Sequence, residues 1–188
     1  MQLIRKESED NVQFIVVDAS EKEQEALRAL AFKPVEEGLA RTLPAGTPHL
    51  DEAFVHYQTH LETMMKQATN EIAVSWEAAL EAFLQRVAHL DAKWYVVGSV
   101  ALALRGVPIV PGDIDLIVDS EGAFAWGDAL ADVMLEPVMT TTNWFSRYWA
   151  RAFLHARIEW VAGIDLQDPS PYIQHYVIPA QQRLERIQ

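Results

Sequence analysis

The stretch VGSVALALRGVPIVPGDIDLIV, residues 97–118, sets the reading of this chain. Trp94 to Val97 is a short apolar strand ending at Gly98-Ser99. Val100 to Arg105 is a short helix closed by Gly106, at the position just past a helix end that favours glycine. Pro108 to Gly112 is a loop, and Asp113-Ile114-Asp115-Leu116-Ile117-Val118 is a strand with strict alternation at its start. A strand that ends in Gly-Ser and turns into a helix offers backbone N–H groups, a hydroxyl and a positive helix end, which together suit phosphate oxygens. Gly98 matters because a Cβ there would block close approach. Asp113 and Asp115 stand two apart, so both side chains leave one face of the sheet while Ile114 points into the core. Two carboxylates aimed at one point repel each other, and a hard divalent cation is the usual remedy. Mg2+ bridging two aspartates and the phosphates of a nucleotide is the chemistry this geometry serves. A third carboxylate completes such a site. Glu159 is the candidate, because an acid set between Ile158 and Trp160 in a strand needs a reason.

Working outward, Val138 to Thr142 and Phe153 to Val161 read as strands and Phe124 to Val133 as a helix. Strands and helices in this order imply an α/β sheet of mixed direction flanked by helices. Upstream, Val12 to Val17 is a β-branched strand, and Ser20 with Glu23 forms a capping box that opens a helix through about Phe32. Lys33 to Gly46, punctuated by prolines and glycines, reads as a short strand with loops. Asp51 to Ala68 is a longer helix with Phe54, Tyr57, Leu61, Met64 and Met65 on one side. Trp76 to Leu90 is another, lined by Leu80, Phe83, Leu84 and Val87. Ile178 to Gln188 ends in a polar helical segment. The division expected is an N-terminal α/β and helical module over 1–71 and a second domain over 72–188.

Gly98-Ser99-x-Ala101-Leu102-x-Leu104-Arg105-Gly106, Pro111-x-Asp113-Ile114-Asp115-Leu116 and Arg157-Ile158-Glu159-Trp160 together resemble the nucleotidyltransferase superfamily with the polymerase-β-like fold. They look most like the small bacterial members that include antibiotic-modifying and abortive-infection-toxin types. The resemblance covers about residues 94 to 165, and the first ~90 residues match no pattern. It implies a metal-dependent transfer of a nucleoside monophosphate from a nucleoside triphosphate to a hydroxyl of an unidentified acceptor, with release of pyrophosphate. It assigns Gly98 and Ser99 to the triphosphate, with Arg157 as a further nucleotide contact. Asp113 and Asp115 become ligands of Mg2+ or Mn2+, and Glu159 a metal ligand or general base. The third acid of the family is more commonly Asp, so Asp165 is the fallback. The alternative is a noncatalytic member of the same fold acting as an interaction or toxin-antitoxin module.

Composition bounds these readings. The chain has 188 residues, 27 Asp plus Glu against 15 Lys plus Arg, a formal net charge of −12 and no cysteine. Thiolate metal sites, disulfides and cysteine nucleophiles are excluded. So acidic a chain is a poor general binder of phosphate backbones, which demotes nucleic acid as a partner. No signal-peptide core and no apolar run near ~20 residues is present, so a soluble, cytoplasmic protein with no membrane partner is expected. Other features have plainer readings beside sharper ones. His56 and His60, with Glu52 one turn earlier, have zinc spacing but no third ligand cluster. Arg147 and Arg151 read as one helical face, either toward a triphosphate or paired with surface acids. Trp144 and Trp149 are base-stacking candidates or core. Asp128 and Asp132, with Glu121 and Glu136, read as a solvated helix face.

Overall fold

Val12, Phe14 and Val16 recur at the two-residue period of a strand, and all are buried. In the computed structural model, which describes residues 1–142 and 144–164, they lie on β2 (Asn11–Val17). Asp165 and the expected helix over 178–188 lie outside the described residues. β2 pairs antiparallel with β1 (Gln2–Glu7), an edge strand whose polar sequence conceals it; only Leu3 turns fully inward. Ser20 caps α1 (Glu21–Ala29) through the expected box, its N–H donating to Glu23 Oε2 at 2.7 Å. The helix stops short of Phe32 because Ala31 adopts φ +64° and the Phe32 N–H turns back to the Leu27 carbonyl. Where one short strand was expected there are two, β3 (Lys33–Val35) and β4 (Gly38–Pro44). The antiparallel sheet runs β1-β2-β4-β3. α2 (Leu50–Ala68) buries Leu50, Ala53, Tyr57, Leu61, Met64 and Met65, and Phe14 and Phe32 meet Tyr57 edge-on.

The second sheet is built from β5 (Trp94–Val97), β6 (Ile114–Val118), β7 (Met134–Thr140), β8 (Tyr148–Leu154) and β9 (Ala156–Ala162). Its order is β5-β6-β9-β8-β7, with β6 and β9 parallel and the other neighbours antiparallel. Among the described residues the fold is a mixed α+β arrangement of two sheets and five helices, as the sequence implies. One face of the second sheet is apolar. Ile114, Leu116, Ile158 and Trp160 pack there against Phe83 of α3 (Trp76–Val87) and Trp126 of α5 (Ser120–Ala129). Trp126 meets Phe83, Trp94 and Trp160 edge-to-face at 4.9–6.1 Å, a geometry the aromatic quadrupoles favour. A separate core lies around α1, α2 and the first sheet, and Leu135 of β7 and Phe153 of β8 pack into it. No helix among the described residues is long and apolar enough to cross a membrane.

Further sequence expectations change. Phe153 to Val161 is not one strand but the close of β8, a turn and most of β9: His155 at φ +63° reverses the chain, with Leu154 opposite Ala156. Arg147 and Arg151 therefore share no helix; Arg151 lies within β8 and Arg147 just before it. The α5 helix starts and ends four residues early, followed by a 3-10 turn at Ala131–Val133, and β7 begins four residues sooner than expected.

Candidate functional site

The polar face of the second sheet carries a single cross-strand row. Val97 of β5 lies opposite Asp115 of β6, Asp115 opposite Glu159 of β9, Glu159 opposite Arg151 of β8, and Arg151 opposite Glu136 of β7. At about 4.8 Å between strands, the row crosses the sheet in roughly 19 Å. Ile114 and Leu116 point to the apolar core, so alternation sends Asp115 to the opposite face. Asp113 sits just before β6 on that same face, beside Arg157 of β9.

At the β5 end the chain turns into α4 (Gly98–Ala103). Gly98 has φ +64°, and a Cβ placed on it would lie 2.3 Å from Asp115 Oδ2. The glycine is thus needed twice, for its backbone conformation and for the space Asp115 fills. Ser99, in the first turn of α4, is 5% exposed. Gly98→Ala is expected to cost about 1–2 kcal/mol in backbone strain, since the displaced atom is the movable end of a carboxylate. Urea denaturation reads that cost. The displaced Asp115 carboxylate is expected to weaken metal binding well beyond what so small a loss of stability explains.

The remaining acids are held by guanidinium groups. Arg151 is 6% exposed and donates to Glu159 Oε1 from Nε at 3.0 Å, with a second nitrogen 2.8 Å away. Its third nitrogen stands 2.9 Å from Glu136 Oε2, an ionic contact off the line of a hydrogen bond. Arg41 of β4 reaches across from the first sheet to Glu136 Oε1 and donates to the Ala31 carbonyl at 2.8 Å. Arg157 donates to Asp113 Oδ2 at 3.0 Å and stands 3.9 Å from Glu159 Oε1. Burial pushes the Glu159 carboxyl up, but Arg151 and Arg157, with the Trp149 indole donating to it, bring it below the usual carboxylate range. Burial likewise opposes the charge on Arg151, and its acidic neighbours Glu136 and Glu159 hold that charge more firmly than usual. The Tyr57 hydroxyl, buried and hydrogen-bonded to Arg151, is pushed well above its ordinary value, chiefly by burial.

Gly98, Asp115 and Glu159 are therefore brought together, and Asp113 and Arg157 meet beside them. The three acids do not close on one point: among the described residues, no three His, Asp or Glu side chains are grouped to hold a metal ion. The rings of His56 and His60 lie 4.4 Å apart, tilted at 56°, and His56 Nε2 donates to the Phe153 carbonyl rather than joining a ligand cluster. Glu136 corrects the sequence reading. It is not on a solvated helix face but fully buried on β7, between Arg41 and Arg151. Its signal was there, as an acid inside the apolar run Met134-Leu135-Glu136-Pro137-Val138. Trp149, weighed as a base-stacking residue, is engaged by Arg151 and Arg41, whose guanidinium carbons lie 4.9 and 5.9 Å from its ring.

No protein-family model matches the chain, and no curated protein matches it. A solved structure of a candidate nucleotidyltransferase from Thermotoga maritima is similar at 24% identity and a TM-score of 0.41. The likeness covers 44% of this chain and 53% of that one, so it spans about half the length of that protein.

Proposed function

We propose that this chain is a metal-dependent nucleotidyltransferase of the polymerase-β-like superfamily, of the small bacterial type that includes antibiotic-modifying and abortive-infection-toxin members. It moves a nucleoside monophosphate from a nucleoside triphosphate to an acceptor hydroxyl. The observation that carries this reading is the approach of the Gly98 backbone to Asp115, with Glu159 in register on the next strand. Asp113 and Asp115 are hard oxygen donors two residues apart beside that turn, a donor set that fits Mg2+ or Mn2+. When bound there, the cation neutralises charge on the reacting phosphate. Gly98 and Ser99 hold triphosphate oxygens through backbone N–H groups and the Ser99 hydroxyl. Arg157, now on Asp113, is the guanidinium that turns toward a phosphate. The acceptor oxygen bonds to the α-phosphorus, the bond to the β-phosphate oxygen breaks, and pyrophosphate leaves with its electron pair. Glu159, not grouped with the two aspartates in this structure, would join them as third ligand or take the hydroxyl proton.

A thermal-shift titration with each nucleoside triphosphate, with and without Mg2+ or Mn2+, tests this reading. Ligands that bind only the folded state raise its melting temperature. Stabilisation is expected to need both metal and triphosphate and to vanish in Asp113→Ala/Asp115→Ala. One observation favours a second reading, a noncatalytic interaction module: Arg151 and Arg157 already satisfy Glu159 and Asp113 internally. A wild type that no nucleotide stabilises would select it.

A further inference from the structure

The cross-strand row does not end at the edge of its own sheet. Beyond Glu136 stands Arg41, from a strand 95 residues earlier in the chain, so charges alternate Arg41, Glu136, Arg151, Glu159 from the first sheet to the candidate site. We propose, on the reading of the site given above, that Arg41 and Glu136 are positioning residues that set the place of Glu159 through Arg151. Arg151 is divided between two acids. It meets Glu159 through Oε1 with two nitrogens and Glu136 through the third. Glu136 has no solvent to screen it, and Arg41 supplies its second cation. Without Arg41 the whole charge of Glu136 falls on Arg151, whose guanidinium is drawn toward β7 and loosens its hold on Glu159. The residues that fix Arg151 otherwise, Tyr57 through its hydroxyl and Trp149 under its plane, do not compensate a buried charge.

The first sheet is on this account part of the site assembly rather than only a neighbouring module. Outer partners of ligating carboxylates commonly tune metal affinity by tenfold or more. The test is Mn2+ binding to the nucleotide-free full chain, read by electron paramagnetic resonance, beside the indole N–H resonance of Trp149, which reports on Glu159. Arg41→Gln is expected to weaken Mn2+ binding by roughly tenfold and to shift the Trp149 signal. Adding Glu136→Gln removes the pull on Arg151, so the double variant is expected to return Mn2+ affinity to within about twofold of wild type. The Trp149 signal is expected to move back with it, although Arg41 is still missing. Arg41→Lys, which keeps the charge but loses the fork, stands in if Arg41→Gln does not fold, with a loss of about threefold. A purely structural pair would lower the melting temperature and leave Mn2+ affinity and the double-variant Trp149 return unmoved, which overturns the inference. A wild type that binds no Mn2+ while Trp149 still responds and recovers would instead sink the metal reading and leave the coupling standing.

Discussion

Asparagine in place of Asp115 is expected to slow nucleotide transfer, read as pyrophosphate release, by on the order of a thousandfold. The melting temperature is expected to stay within a few degrees of wild type. The two outcomes separate because of where the side chain lies. Asp115 is half-buried on the polar face, outside both apolar cores, and asparagine keeps its shape. What is lost is a formal charge beside the Gly98 turn. A metal-held phosphate draws several kcal/mol of transition-state stabilisation from such charges, and each 1.36 kcal/mol is a factor of ten. Asp115 also lies opposite Val97, next to the Gly98 turn, and the carboxylate in register with it, Glu159, is already held by Arg151. Full turnover by Asp115→Asn would remove the aspartate pair from the mechanism, whatever the fold.

What the sequence made legible was local. Gly98, Asp113 and Asp115 fall within 18 residues, and the turn and strand that position them announce themselves through a glycine, a proline-rich loop and a two-residue period. The capping box of α1 and the apolar stripe of α2 are legible for the same reason, being patterns over one or two helical turns. The β8–β9 turn was not, because His155 takes a left-handed conformation without glycine, asparagine or proline to mark it. The alternation of apolar and polar residues also carries on through the turn. β1 escaped because an edge strand exposes most of its side chains and needs few apolar ones. The charge row was the furthest out of reach. Arg41 and Glu136 meet only when two sheets pack together, and nothing in either neighbourhood of sequence records a partner 95 residues away.

Arg151→Met is expected to be the most destabilising single change at the site, by about 3–5 kcal/mol, because it leaves two acids of the row without the cation between them. Methionine keeps much of the volume and stem, so the loss isolates the charge. The pH dependence carries the argument further. In the wild type, Glu159 is held below its unfolded value, so its contribution to stability is complete above the ordinary carboxylate range, near about 4.3. That contribution is lost as pH falls through the lower folded value. In the variant, burial, the largest influence on Glu159, is opposed by Arg157 and Trp149 but no longer by Arg151, and its proton affinity rises relative to the wild type. Acidification from neutrality therefore costs the wild type more stability than the variant. Urea unfolding at pH 7 and near pH 4.5 should therefore show the gap between wild type and variant narrowing in acid. A gap that stays constant across that range would assign the loss to the packing of the arginine stem against Trp149 and Tyr57, and would take from Arg151 its electrostatic hold on Glu159.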